Sequence, residues 1–280
     1  MRVSKECEGC LRRLLLQAAA SATENEALKQ AAVNRAEVIL QDKFTPGAVS
    51  IDIATLIHDA IKQTTGNPDP YRQMKDIEIK VARQLYDFVK DKYRENFRDY
   101  LRLAALGNAI DFFRPIEEVK IEIRSQEITF DIDDSSRLEE KVKNSKFILY
   151  LADNAGEVFF DLPLLKLMRK YSRAVYVVKE APVQNDITVG DIKSAGLENE
   201  VGELMTTGTA TPGIDFKQAS HAFKQAFESA DFVFAKGMGY YETLEELPPR
   251  GRVFFCLKAK CRPVAESLKV PLNSYAALLW

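Results

Sequence analysis

The sequence has few of the residues on which nucleophilic catalysis most often depends. Its 280 residues include only two histidines, His58 and His221, and both fall in segments with helical periodicity. No G-x-S-x-G motif is present. The histidine-assisted chemistry of serine hydrolases is therefore not indicated.

Cysteine is also scarce, and its four copies form two close pairs, Cys7 with Cys10 and Cys256 with Cys261. The spacing of the second pair is wider than that of a usual zinc knuckle, and no histidine lies near either pair. Cys256 falls within an apolar run, which favours ordinary core packing. Cys7, Cys10 and Cys261 stay open to a shared redox or metal role, and a reducing cytoplasm argues against obligatory disulfides.

The chain lacks a charge imbalance and a long apolar run. Its 39 basic and 41 acidic residues give a formal net charge of −2, so the charge does not point to nucleic acid or an anionic membrane as a partner. No apolar stretch has membrane-spanning length, and the N-terminal residues have no signal-type core. We expect a soluble, cytoplasmic protein of one or two domains, and the sequence leaves its oligomeric state open.

The C-terminal half contains short apolar runs that end in polar or glycine-rich segments. These runs cover residues 147–152, 174–178, 203–205, 232–235 and 252–257. Continuous apolar runs separated by helical segments indicate a mainly parallel sheet with helices on both faces, an α/β fold. Ligands bind such sheets at the carboxyl ends of the strands.

The N-terminal half is typical of a helical region. Apolar residues recur at three- and four-residue spacing over residues 7–22, 25–41, 51–63 and 76–105. We assign residues 1–115 to a helical N-terminal domain, 116–145 to a connecting segment and 146–280 to an α/β domain that binds metal and phosphate.

The connecting segment has two local patterns. Residues 117–132 alternate in polarity, as in a hairpin or a connection, and Ser136 with Glu139 forms a capping box that predicts a helix over 137–142. The sheet is then expected to begin near Lys146. Residues 130–135 resemble the aspartyl-nucleophile motif of haloacid dehalogenase-type phosphatases, but the capping box explains these acids without catalysis.

Oxygen-bearing side chains follow two successive predicted strands. Asp153 and Asn154 follow the first strand and Asp186 follows the second, and such oxygens suit Mg²⁺, Mn²⁺ or a similar ion. The alternative is that Asp153 and Asn154 cap a helix and that Asp186 lies in a turn. Asp191 is a second candidate for the third ligand.

Several other polar residues at strand ends are candidates for the chemistry. Glu157, in the first turn of a predicted helix, could orient or activate water or could simply favour the helix dipole. Lys236 and Lys258 each follow a strand and could clamp a phosphate. The glycines Gly208 and Gly213 are not followed by the Lys-Ser/Thr of a nucleotide-binding P-loop, and Gly237-x-Gly239 lacks the third glycine of a dinucleotide fingerprint.

Taken together and in order, seven motifs resemble those of the DUF89 family, the damage-control phosphatases. The motifs are GNPDPY (66–71), GNAID (107–111), LADNAGE (151–157), KEAPVQND (179–186), TGTATPG (207–213), AKGMGYYE (235–242) and LKAKC (257–261). The Cys7-x-x-Cys10 start resembles a subgroup seen largely in archaea and some bacteria. The resemblance implies a helical region packed on an α/β domain and metal-dependent hydrolysis of phosphate monoesters.

The resemblance also implies roles for individual residues. Asp153, Asn154 and Asp186 match the metal ligands, and the metal is Mn²⁺, Ni²⁺, Co²⁺ or Mg²⁺. Asp153 and Glu157 are the candidate catalytic residues, one of which orients or deprotonates the attacking water. The candidate substrate-binding residues are Asn108, Asp111, Gly156, Gly208, Lys236, Gly237 and Lys258. The N–H groups at Ala155-Gly156 are expected to hold phosphate oxygens, and the substrate is a small phosphorylated metabolite such as a sugar phosphate, a nucleotide or a damaged phospho-metabolite.

Two other classes of function remain open at the level of sequence. One is a carboxyl methyltransferase that uses S-adenosylmethionine, although the first strand does not end in the glycine-rich loop that usually receives this cofactor. The other is a non-catalytic module that binds a metal or a nucleotide.

Overall fold

A computed structural model describes residues 1–109, 115–125 and 127–280 of the chain. The candidate residue Asp111 lies outside these ranges. In the described part of the chain, no helix is both long enough and apolar enough to cross a membrane.

Helices make up the N-terminal region, as the periodicity predicts. They are α1 (Lys5–Ala22), α2 (Glu26–Lys43), α3 (Ser50–Thr65), α4 (Arg72–Val89), α5 (Phe97–Gly107) and α6 (Ile116–Ser125). The first three pack around a shared core that includes Ala18, Ala32 and Ala36, whose small side chains allow the helices to approach closely.

The single helix predicted over residues 76–105 is wrong, because the chain breaks between α4 and α5. A 3₁₀ turn at Lys90–Lys92 ends α4. Asn96 then caps α5, since its side chain accepts a hydrogen bond from the Asp99 N–H. The start of α4 at Arg72 also adds a turn that the sequence pattern missed.

Seven strands form one sheet in the order β1-β7-β6-β5-β2-β3-β4. Their bounds are β1 (Phe130–Asp133), β2 (Phe147–Leu151), β3 (Arg173–Val178), β4 (Leu204–Thr206), β5 (Phe232–Lys236), β6 (Val253–Lys258) and β7 (Tyr275–Leu279). The pairing is parallel except between β6 and β7. The predicted mainly parallel α/β fold is confirmed.

The sheet begins earlier than predicted. The alternating segment 117–132 is neither a hairpin nor a plain connection, since it contains α6 and the edge strand β1. The next helix, α7 (Ser135–Asn144), has Asp134 at its cap position, and Asp133 accepts a hydrogen bond from the Ser135 N–H. The predicted capping box of Ser136 is therefore wrong, because Ser136 already lies inside the helix. The domain boundaries at 115 and 145 stay a prediction.

Helices cover both faces of the sheet. The remaining helices are α8 (Val158–Arg169), α9 (Val189–Ala195), α10 (Glu198–Val201), α11 (His221–Ser229), α12 (Gly237–Leu244) and α13 (Arg262–Leu268). One apolar cluster joins α4, α5 and α8 to one face of the sheet, and a second joins α11, α12 and α13 to the other. Successive residues of β2 belong to different clusters: Ile148 and Tyr150 to the first, and Leu149 and Leu151 to the second.

The position of β2 determines where a ligand can bind. From β2 the chain proceeds to β3 and β4 on one side, and then crosses back to place β5 and β6 on the other side. The carboxyl end of β2 is therefore a topological switch point, where parallel sheets open a crevice for ligands.

Candidate active site

The carboxyl ends of β2 and β3 are joined by backbone hydrogen bonds. Asn154 and Asp186 form an isolated antiparallel bridge. The Ile187 N–H donates to the Asp153 carbonyl at 2.9 Å, and the Ala155 N–H donates to the Asn185 carbonyl at 2.9 Å. The structure thus brings together the segments that carry Asp153, Asn154 and Asp186.

The side chain of Asn154 has a fixed orientation. Its Nδ2 atom donates to Oε1 of Glu157 at 2.8 Å and to Oδ2 of Asp153 at 3.3 Å. Both contacts use the amide nitrogen, so the amide oxygen is left to accept or to bind a cation. An amide oxygen beside two carboxylates suits a hard divalent ion.

The electrostatics around Asp153 favour a positive partner. Burial raises the pKa of Asp153 well above its usual range, and the carboxylates of Glu157 and Asp186 raise it further. Burial also raises the pKa of Asp186 to about 6, while the Lys179 ammonium lowers it. Ionised carboxylates this crowded are stabilised by a bound cation.

The described residues offer two carboxylates and an amide here, and nowhere in the described ranges, this site included, do three His, Cys, Asp or Glu side chains converge as a preformed metal site. The oxygen set nevertheless fits Mg²⁺ or Mn²⁺, because such ions usually keep several waters and need few protein ligands.

Gly237 lies directly against Asp153. Its φ angle is +78°, and a Cβ atom placed on it would lie 1.9 Å from Oδ2 of Asp153. Any other residue would be strained in its backbone and would displace the carboxylate. The turn from β5 into α12 therefore forms a wall of the site.

Glu157 lies beneath the site and is enclosed by donors. Its Oε2 atom accepts from Nδ2 of Asn108 at 2.6 Å and from Nζ of Lys236 at 2.6 Å, and Oε1 accepts from Asn154. The side chain has no exposed surface. Glu157 therefore positions Asn154, and it has no path to a substrate in this conformation.

Lys236 is likewise enclosed. Its Nζ atom also donates to Oδ1 of Asp161 at 2.7 Å and to the Ala104 carbonyl at 2.6 Å. The hydroxyl groups of Tyr150 and Tyr176 complete the network by donating to Asp161. All three hydrogens of the ammonium are used within the protein, so none faces a phosphate here.

Lys258 and Asn108 connect the sheet to the helical region. Lys258 forms an ion pair with Glu122 of α6, and its ammonium lies 5.2 Å from the centre of the Tyr275 ring. Its backbone N–H donates to Oδ1 of Asn108 at 3.2 Å. Asn108 is thus fixed between β6 and Glu157, at the end of α5.

The two remaining glycine candidates differ in their surroundings. Gly156 is buried beneath α4, where a Cβ atom would lie 2.7 Å from Cγ of Glu78. The neighbouring Ala155 N–H donates to the Asn185 carbonyl. Contrary to the expectation, this N–H therefore does not face a phosphate. Gly208 packs against Ser220, in the loop between β4 and α11.

The side chain of Asp191, the alternative ligand, is occupied by hydrogen bonds within the protein. Its Oδ2 atom accepts from Nζ of Lys75 at 3.0 Å and from the Thr188 N–H at 2.9 Å, and Oδ1 accepts from Arg72 at 3.2 Å. Thr188 and Asp191 form the capping box of α9. These contacts leave Asp186 as the acid that faces Asn154.

Two residues of the site escaped the sequence analysis. Lys179, directly after β3, is buried and donates to the Gly213 carbonyl at 2.6 Å, while its ammonium lies 3.5 Å from Oδ2 of Asp186. Lys179 comes at the end of an apolar run, which is the same sequence signal that identified Lys236. Glu78 falls on the buried face of α4 with Lys75, Ala82, Leu85 and Val89, so a charged residue within a buried helical stripe was the available signal.

The remaining sequence candidates are the acids of residues 130–135 and the cysteines. Asp131 is exposed on the edge strand β1, at the end of the sheet opposite β4. Cys256 is fully buried in β6, which confirms the prediction of core packing. Cys7, Cys10 and Cys261 are free thiols, and burial raises the pKa of Cys261 to about 12.

Comparison with known proteins identifies the family. The model of the damage-control phosphatase ARMT1-like domain matches residues 3–275, and the chain therefore belongs to this family of phosphatases. It is 37% identical to damage-control phosphatase PH1575 of Pyrococcus horikoshii, over 99% of this chain and 98% of that protein. It is 30% identical to a damage-control phosphatase of Archaeoglobus fulgidus, over 99% of both chains.

A solved structure has the same fold. The crystal structure of the DUF89 family protein PH1575 superimposes with a TM-score of 0.89 at 35% identity, and the match covers 100% of this chain and 99% of that one. The resemblance noted in the motifs is confirmed.

Proposed function

We propose that this protein is a metal-dependent phosphatase of small phosphorylated metabolites, with its active site at the carboxyl end of β2. Phosphatase activity follows from its family. The metal dependence and the location are supported by one observation above all. Glu157 holds the amide nitrogen of Asn154, which leaves the amide oxygen to bind a cation next to Asp153, where the backbone of Asn154 pairs with that of Asp186.

Asp153, Asn154 and Asp186 would hold the metal. When bound, such an ion supplies positive charge to the phosphoryl oxygens and lowers the pKa of a bound water. Asp153 is the ligand best placed to orient the attacking water, because it is partly exposed. Glu157 contributes indirectly, because it holds the side chain of Asn154 in place.

The lysine that we assign to the phosphate differs from the one that the sequence indicated. Lys236 is fully buried and has three acceptors within the protein. Lys258, the last residue of β6, is buried and paired with Glu122, whereas Lys260 lies two residues further along, at the same edge of the sheet as Asp153. Lys260 is only half-buried, and its ammonium lowers the pKa of Asp153. We assign the main electrostatic contact with phosphate to Lys260, with support from Lys258.

The experiment that tests this function is a panel of phosphate esters, including sugar phosphates, nucleotides and a chromogenic ester. The protein is first stripped with a chelator and is then assayed with Mg²⁺, Mn²⁺, Co²⁺ or Ni²⁺. Turnover that depends on an added metal supports the proposal and excludes a non-catalytic binding module. Turnover that is unaffected by the chelator and by added metals would refute the metal dependence.

The methyltransferase alternative receives no support from the turn after β2. Its single glycine, Gly156, is buried beneath Glu78 and leaves no room there for a cofactor. Calorimetric titration with S-adenosylmethionine provides the direct check, and we expect no binding.

A further inference from the structure

Glu78 has an unusual environment for a buried acid. It lies on α4 with only 4% of its surface exposed, and neither carboxylate oxygen has a hydrogen-bond partner of normal geometry in the described part of the chain. An ionised carboxylate in such a place is strongly disfavoured unless it is neutralised or paired.

Neighbouring buried acids are fully partnered. Glu157 accepts hydrogen bonds from Asn108, Asn154 and Lys236. Asp161 accepts from Lys236 and two tyrosine hydroxyl groups. The Asn185 side chain and the Gly156 N–H lie near the Glu78 carboxylate, but neither makes a hydrogen bond of normal geometry, which sets Glu78 apart from the acids that surround it.

The position of Glu78 relates it to the predicted metal ligands. Its side chain packs on Gly156, which lies two residues after Asn154. The side chain of Asn185, the residue before Asp186, also approaches its carboxylate without forming a hydrogen bond of normal geometry. Glu78 thus faces both segments that carry the ligands, and it does so from the helical region.

We propose that Glu78 belongs to the metal site and that its carboxylate binds a water on the metal ion. This inference rests on the proposed metal dependence. It makes α4 a part of the site, so that metal binding fastens the helical region to the turn after β2. It also explains why position 156 is glycine, since a Cβ atom there would push Glu78 away.

The test measures Mn²⁺ binding to the full-length, metal-stripped protein by calorimetry. Glu78→Gln keeps the shape of the side chain and removes its charge. We expect its Kd for Mn²⁺ to rise about tenfold or more, as for other groups that orient metal ligands. Asp87→Asn, at an exposed acid of the same helix, is the matched control and should bind like the parent.

Thermal unfolding with and without Mn²⁺ separates this role from a structural one. Without metal, Glu78→Gln should unfold at the same temperature as the parent or higher, because a buried unpaired charge is gone. The increase in unfolding temperature caused by Mn²⁺ should be smaller in the variant. An unchanged Kd, or a variant that is destabilised without metal yet gains the same stabilisation from Mn²⁺, would overturn the inference.

The Asp186→Asn variant distinguishes failure of this inference from failure of the proposed function. If the parent binds Mn²⁺ and Asp186→Asn does not, while Glu78→Gln binds normally, only the role of Glu78 is refuted. If the parent itself binds no divalent metal, the proposed metal dependence is wrong, and the assignment of Glu78 is refuted with it.

Discussion

Nζ of Lys236 lies 2.6 Å from Oε2 of Glu157, and neither side chain has any exposed surface. The ion pair extends to Asp161, so that one cation is shared by two buried carboxylates. Removal of one member of such a group leaves uncompensated charge in the interior. The stability of the fold beneath the site therefore depends on this lysine.

The Lys236→Met variant should lose about 3–5 kcal/mol of unfolding free energy. Lys170→Met, which removes an exposed ion pair with Glu95, should leave it nearly unchanged, because exposed ion pairs are screened by water. Urea unfolding measures both. A Lys236→Met protein as stable as the parent, with a raised KM, would show that this lysine serves the phosphate instead.

The Asp153→Ala variant should fold normally and lose activity. The carboxylates of Glu157 and Asp186 repel that of Asp153, so removal of the Asp153 carboxylate should not lower the stability of the metal-free protein. We expect turnover to fall about a hundredfold or more, since a metal ligand and a water-orienting group are both lost. An active variant with parental Mn²⁺ affinity would contradict the assignment.

Asp186→Asn and Asp191→Asn should differ in their effect on metal binding. The first should weaken Mn²⁺ binding, and it should also lower the unfolding free energy, because it removes the buried carboxylate beside the Lys179 ammonium. The second should lower the unfolding free energy by about 3 kcal/mol, because it breaks the buried pair with Lys75 and weakens the cap of α9. Calorimetry and urea unfolding together distinguish them, and a reversed ranking in metal affinity would transfer the ligand role to Asp191.

His58 makes stability depend on pH. Its Nδ1–H donates to the Ala54 carbonyl at 2.7 Å, and burial lowers its pKa from 6.5 to about 4. Between these values the unfolded chain takes up a proton that the folded chain does not, so stability should fall as pH decreases from 6.5 to 4. The pKa difference corresponds to roughly 3 kcal/mol.

The His58→Gln variant should show a flatter dependence of unfolding free energy on pH in this window. His221→Gln is the control, because His221 is exposed at the start of α11. Equal slopes for the parent and His58→Gln would assign the pH dependence to other groups.

The Cys7→Ser, Cys10→Ser double variant should keep its turnover. The proposed chemistry uses oxygen ligands and lysines and needs no thiolate nucleophile. Cys7 accepts a hydrogen bond from the Ser4 N–H at the start of α1, and a serine oxygen can replace that contact. We expect a loss of stability or of redox sensitivity first. A variant that folds, binds metal and yet has no activity would place the thiols in the mechanism.

The sequence predicted the positions of the key residues better than their partners. Asp153 and Asp186 were predicted as ligands because buried strands end where polar residues begin, a local signal, and the structure brings their two segments together. The partners of Lys236 could not be found in this way, because Ala104 and Glu157 are distant in the sequence. The local sequence around a lysine at the end of a strand is the same whether the side chain faces solvent or two buried acids.

The errors in the fold have a similar cause. The strands β1 and β7 lie side by side at one end of the sheet, and β1 is a short, half-exposed edge strand whose pairing with β7 is not a local property. The break between α4 and α5 depends on a cap by Asn96 within a stretch that otherwise keeps helical periodicity.

The buried pair of Glu157 and Lys236 is held in place by two residues of the helical region, Asn108 and Ala104. These contacts limit how the chain can be truncated without loss of the site. A fragment beginning at residue 146 would retain the strands and the predicted ligands, yet it would lose the groups that hold Glu157 and Lys236 in place. The catalytic unit therefore includes α5 as well as the sheet. Any attempt to graft this chemistry onto another scaffold must transfer α4 and α5 together with the sheet.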